Sequence, residues 1–134
     1  MEKTINLMAT VEEVPNLLDT FEEMLTQAGC PAPIIMQILL SVEEIYVNVA
    51  NYAYGKETGE CRLDISIENN RFAVDISDGG IPFDPMSKED PDITLKLMDR
   101  PIGGLGILIT KKMMDETWYE FKDNRNHMHL VKNW

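Results

Sequence analysis

The chain has 134 residues, 23 acidic against 12 basic, for a formal net charge of −11. That length fits a single domain over residues 1–134, able to bury roughly two thirds of its unfolded surface without a disulfide or structural metal. The charge argues against nucleic acid and anionic membrane as partners, since both present phosphate that demands a basic face.

Ile5, Leu7 and Met8 mark a weak first strand over residues 3–10. Thr10 and Glu13 have the spacing of a helix capping box. Leu17, Leu18, Phe21, Met24 and Leu25 then follow the 3–4 spacing of one helical face. Pro15 falls in the tolerant first turn, and Gly29 ends the helix. Pro31 and Pro33 open a second helix through Ile35, Ile38, Leu39, Val42, Ile45, Val49 and Tyr52, which stops at Gly55. Residues 61–68 and 71–77 alternate apolar and polar, and Asn69-Asn70 between them suits a tight hairpin turn. Residues 78–103 hold three glycines and four prolines among scattered acidic residues, with a short helix predicted around 92–98. A loop that long inside a compact domain is commonly functional. A third helix is expected from Leu105 to Met114. Two last strands, 117–122 and 127–132, flank a polar turn, Asp123-Asn124-Arg125-Asn126. Helices and hairpins are grouped rather than alternating. The expectation is an α+β two-layer sandwich, a mostly antiparallel mixed sheet with helices on one face.

Cys30 and Cys61 stand far apart and form no C-x-x-C pattern, as expected of two small, half-buried thiols in a reducing compartment. No apolar run approaches the roughly 20 residues that span a bilayer. The opening Met-Glu-Lys-Thr-Ile-Asn has neither a basic start nor an apolar signal core. A cytoplasmic location is expected.

Three motifs carry chemistry. On the second helix, Glu44 and Asn48 stand one turn apart, with Asn51 and Tyr52 continuing that side. A carboxylate and an amide oxygen so placed can share a hydrated hard cation such as magnesium. Equally, such a pair can belong to a solvated face, although asparagine is a mediocre helix former and two occur here among apolar residues. At a strand end stands Asp78-Gly79-Gly80-Ile81-Pro82-Phe83. This can be a plain turn, or a carboxylate at a pocket floor that accepts a hydrogen bond from an exocyclic amine, with glycine letting a flat ring approach. Gly103-Gly104-Leu105-Gly106 opens the third helix, where converging N–H groups and the helix terminus favour an anion. Packing glycines at a helix start are the plainer reading. An acidic protein needs such local features to hold an anionic ligand, and the pattern is neither a Walker loop nor a dinucleotide fingerprint.

In order and spacing the three motifs resemble the GHKL ATPases with their Bergerat-type ATP-binding fold, and most of all the small bacterial anti-sigma-factor serine/threonine kinases. The resemblance runs from the first helix to the last strand. It implies ATP with Mg2+ as the ligands. Asn48 would bind the metal and Glu44 would act as general base. Asp78 would take the adenine amine, with Gly80, Ile81 and Pro82 beside it. Asn51 and Tyr52 would line the nucleotide. Gly103, Gly104, Leu105 and Gly106 would hold phosphates at the end of an ATP lid over about 84–103. Two positions depart from the family pattern: Tyr52 stands where histidine is frequent, and Leu105 where several kinases carry arginine. Arg100 offers a replacement cation. The resemblance further implies an anti-anti-sigma protein as the phosphorylated partner, a sigma factor as the sequestered one, and a homodimer.

Competing readings are a non-catalytic ATP-dependent binding module, the ATPase half of a histidine kinase, and a plain acidic interaction domain. The histidine-kinase reading needs a phosphoacceptor histidine on a helix, whereas His127 and His129 fall in a strand. Their alternation allows a metal pair, although solvent-facing strand positions are the commoner meaning. The 84–92 loop lacks the ligand spacing of an EF-hand.

Overall fold

The computed structural model describes residues 1–87 and 104–134. Five strands are present: β1 (Glu2–Met8), β2 (Glu60–Glu68), β3 (Arg71–Asp78), β4 (Glu116–Lys122) and β5 (Arg125–Asn133). They form one sheet in the order β1-β2-β3-β5-β4. Every pairing is antiparallel, the limiting case of the mostly antiparallel sheet expected. Three helices complete the described fold: α1 (Val14–Gln27), α2 (Ala32–Asn48) and α3 (Gly104–Met113). The short helix predicted at 92–98, and most of the proposed lid, lie outside the described residues.

Side chains alternate across a strand, and register aligns the apolar ones. Leu63, Ile76 and Met128 occupy one rung, and Ile65, Val74 and Leu130 the next. All six are buried. Onto this face α1 lays Leu17, Phe21, Met24 and Leu25, and α2 lays Ile35, Ile38, Val42 and Ile45. Phe21 meets Phe72 edge-on, with ring centroids 6.0 Å apart. Each such fully buried side chain contributes about 1.5–3 kcal/mol. By length and composition Ala32–Ala53 is apolar enough to cross a bilayer, but in this fold it is the central core helix, flanked by α1 and α3.

The turns follow from residue chemistry. After α1, Gly29 adopts φ +78°, the Cys30 N–H donates to Leu25 O and the Gly29 N–H to Thr26 O. This is the Schellman ending that glycine permits. Asn69 and Asn70 both take positive φ, as a two-residue hairpin turn requires. The last hairpin is tighter than the four-residue turn expected: Asp123 and Asn124 alone have positive φ, and Arg125 and Asn126 already belong to β5. Asparagine and aspartate tolerate this conformation.

Other expectations fail locally. The capping box does not form: Val11–Glu13 is a 3-10 turn, and Thr10 makes no side-chain cap. Instead the Thr10 N–H donates to Met8 O and to the Tyr46 hydroxyl, which in turn donates to Thr10 O at 2.7 Å. Cys30 and Cys61 are free and fully buried rather than half-buried. Burial pushes the Cys61 thiol up to about 12, so it stays neutral and unreactive.

Tyr46 is wholly buried, and burial raises its hydroxyl to about 12, keeping it a donor. Tyr46→Phe would keep the volume while removing this tie between α2 and the chain after β1. The expected cost is about 1–3 kcal/mol, read as a lower urea midpoint at unchanged slope.

Candidate functional site

At its C-terminal end β3 delivers Asp78 to the helix-covered face, in the same parity as Val74 and Ile76. The residue is 5 % exposed. Its Oδ1 accepts two hydrogen bonds, from the Gly80 N–H at 2.9 Å and from Asn126 Nδ2 at 2.9 Å. Oδ2 has no hydrogen-bond partner among the described residues. Asn126, across the ladder on β5, also donates to Ile81 O at 3.0 Å. Its Oδ1 accepts from the Phe83 N–H and the Tyr119 hydroxyl. One asparagine thus shapes the Gly79–Phe83 loop. Ile81, Pro82 and Phe83 are exposed beyond it.

The loop is fastened to the end of the second helix. After Asn48 the chain makes a π turn, Val49–Ala53. Such turns occur largely as single insertions at functional sites. The Ile81 N–H donates to Ala53 O at 3.0 Å. Gly80 lies so close to that carbonyl that a Cβ would overlap it. The Tyr54 hydroxyl accepts from the Gly79 N–H at 2.8 Å and donates to Glu60 O. Asn51 and Tyr52 fall within the π turn and are exposed.

Glu44 and Asn48 do face one another. Asn48 Nδ2 donates to Glu44 Oε1 at 3.3 Å. That orientation leaves the Asn48 carbonyl oxygen free of any partner among the described residues, as a hard cation would require. The Glu44 carboxyl is pushed above the ordinary carboxylate range, chiefly by burial; Asn48's N–H opposes the shift and Glu43 adds to it. The start of α3 packs directly on it: a Cβ at Gly106 would overlap the Glu44 carboxylate. Gly104 opens that helix, whose first turn holds no acidic residue. Arg100, Gly103 and the side chain of Leu105 lie outside the described residues.

The three motifs therefore touch, the first meeting the second through Ala53 and the third through Glu44. The donor set fits a nucleotide with magnesium: a carboxylate oxygen of Asp78 with no partner among the described residues, an amide and a carboxylate oxygen one helical turn from each other at Asn48 and Glu44, and a helix start beside Glu44. Sequence reasoning missed Ala53, Tyr54, Tyr119 and Asn126. The available signal was parity, for Asn126 alternates with the apolar Met128 and Leu130.

The two close glycines differ in what a methyl group would strike. Gly80→Ala meets backbone that cannot move aside, and is expected to cost about 1–3 kcal/mol. Gly106→Ala meets the end of a side chain, and a helix-propensity gain of up to about 1 kcal/mol offsets the clash. Chemical denaturation of both variants checks this; equal losses would contradict the packing. Glu44 supplies a pH test. A carboxyl raised in the folded state leaves stability intact below its unfolded pKa of about 4.3, and that contribution is lost as pH rises through the folded value. The melting-temperature difference between Glu44→Gln and the wild type should grow in the variant's favour from about pH 4 to pH 7. A gap independent of pH would show Glu44 to be solvated.

Comparison with known proteins identifies the family. Residues 7–132 match the family model described as the Histidine kinase-like ATPase domain. Curated relatives named Serine-protein kinase RsbW, from Bacillus cereus and Bacillus anthracis, are 25% identical over 116 residues, covering 84% of this chain and 72% of theirs. The RsbW of Bacillus thuringiensis is 24% identical over 116 residues. Among solved structures, the RsbU and RsbW domains of Rv1364c from Mycobacterium tuberculosis superpose with a TM-score of 0.71 at 13% identity, over 99% of this chain and 32% of that one. This chain thus spans about a third of that structure, and the likeness concerns the fold. With the family match over nearly its whole length, the chain belongs to the histidine kinase-like ATPase domain family, and is homologous to the RsbW serine-protein kinases.

Proposed function

We propose that this chain binds ATP with magnesium and transfers phosphate to a serine of a protein partner, as an anti-sigma regulatory kinase acting in the cytoplasm. The observation that supports it most is the convergence of Gly80 on Ala53 and of Gly106 on Glu44. It links an adenine-type acceptor, a metal-type oxygen pair and a helix start through direct contacts.

Asp78 Oδ2 accepts the exocyclic amine, while Oδ1 is held by Gly80 and Asn126. A carboxylate pinned in this way favours a ligand that donates there, hence adenine over guanine. Asn48 offers its amide oxygen to the metal. When bound, magnesium neutralises phosphate charge, which the −11 net charge of the protein makes necessary. Glu44 accepts the proton of the attacking serine hydroxyl, and the upward push of its pKa makes it a stronger acceptor. By likeness to RsbW, the acceptor is an anti-anti-sigma protein and the sequestered partner a sigma factor, with a homodimer as the working form. Arg100, Gly103, Gly104 and Leu105 would close the phosphate end.

A second reading is favoured by Tyr52, exposed in the π turn where histidine is frequent in the family: an ATP-gated binding module without transfer. Serine is favoured over histidine as the acceptor because the curated relatives are named serine-protein kinases.

Thermal unfolding with Mg-ATP is the first test. Ligand at about 100 times its Kd adds roughly 2.7 kcal/mol, a shift of several degrees at this size. The wild type should show the shift, and Asp78→Asn and Asn48→Ala should abolish it. No shift at millimolar Mg-ATP would sink the nucleotide reading. Glu44→Gln should keep the shift but lose transfer to a serine-bearing partner by about 10²-fold or more. Transfer that survives in Glu44→Gln would remove its role as base, and absence of transfer in the wild type would favour the module.

A further inference from the structure

The sheet face turned away from the helices carries a second cluster. Asp75 on β3 and His127 and His129 on β5 alternate with core residues, so all three emerge on that face. One potential ligand atom from each lies within 4.8 Å of the other two. His127 Nδ1 stands 2.9 Å from Asp75 Oδ2. His129 Nε2 stands 3.9 Å from Asp75 Oδ1 and 3.9 Å from Glu120 Oε2, on β4. The rings are held in place: Trp118 stacks on His129 at 4.5 Å and 8°, and the His127 ring lies 6.2 Å from it and nearly parallel. The side chains are only 16%, 20% and 23% exposed for His127, His129 and Asp75. Nε2 of each histidine is buried with no hydrogen-bond partner among the described residues. Buried polar atoms ordinarily have partners, and the orphan Nε2 of His129, which faces Asp75, calls for an explanation such as an ion; on His127 it is Nδ1 that faces Asp75.

We infer that Asp75, His127 and His129 form a binding site for one divalent cation of the zinc class. Two imidazoles and a carboxylate are the donor set such ions select, whereas magnesium prefers oxygen alone. Ligands about 2.0–2.2 Å from a tetrahedral zinc stand roughly 3.4 Å from one another. The observed 2.9 and 3.9 Å separations bracket that spacing, so small side-chain shifts suffice. Glu120 or water completes the shell, and a cavity of about 150 Å³ beside Asp64, Asp75, Trp118 and His129 has room for water. An acidic protein also concentrates cations at its surface. The cation would fasten β3 to β5 on the face opposite Asp78 and Asn126, with His127 one rung and the Asp75–His129 pair three rungs from them. The inference does not depend on nucleotide binding.

Zinc titration of the untagged, metal-free full chain by calorimetry tests it, with cobalt substitution read by visible absorption. One equivalent of zinc should bind and raise the melting temperature. Cobalt should show tetrahedral d–d bands with no thiolate charge-transfer band. His127→Gln and His129→Gln, checked for native melting without metal, should each weaken binding at least tenfold. If a variant fails to fold, histidine ring nitrogen signals of the wild type replace it, and both rings should shift with one equivalent of zinc. No binding at 100 micromolar zinc (about the weakest affinity worth calling a site), a thiolate band, undiminished binding in both folded variants, or unmoved ring signals would each overturn the inference.

Discussion

A buried carboxylate is costly unless it is hydrogen-bonded, and the solution found for Asp78 organises the rest. Its Oδ1 is shared between the backbone of its own loop and the amide of Asn126 on the neighbouring strand. Asn126 spends its remaining capacity on Ile81, Phe83 and Tyr119. The end of the sheet, the loop after β3 and the edge strand β4 are therefore held by one residue pair. Since that pair sits on a rung of the central ladder, strand register and loop shape are not independent. A slip of one residue would send Asn126 to the opposite face and leave Asp78 uncompensated.

The helical half is coupled to the same point by close backbone approach. At Gly80 the π turn after α2 comes within contact of the β3 loop, and at Gly106 α3 comes within contact of α2. Between them they bring the Ala53 carbonyl and the Glu44 carboxylate against backbone. The family relationship gives this arrangement its context.

Much of the fold was legible in the sequence because local chemistry and global packing agree: Asn69-Asn70 demands a hairpin, Gly29 a helix ending, and the alternation at 61–68 a half-buried strand. Glu44, Asn48, Asp78, Gly80 and Gly106 could be named as candidates from the order and spacing of the three motifs, with asparagine inside an apolar helix as a local signal. What stayed hidden depended on tertiary partners. Thr10 and Glu13 match a capping box, yet a hydroxyl 36 positions away competes for the Thr10 N–H. Asn126 looked like turn sequence until Asp123 and Asn124 proved sufficient for the turn. The histidines at 127 and 129 fit a solvated strand face, and only register reveals Asp75 opposite His129. The segment 88–103, with Arg100, is where sequence and resemblance stand alone.

The π turn at Val49–Ala53 carries a consequence for how this chain can change in length. It holds one residue more than an ordinary α-turn would need. Deleting one residue within α2 itself would turn everything beyond it by about 100° around the axis. Deleting one of these five would instead let the segment close as an ordinary α-turn, which spans nearly the same arc, so the chain beyond would keep its direction. Length is therefore more freely varied between Asn48 and Gly55 than within the helix that precedes them.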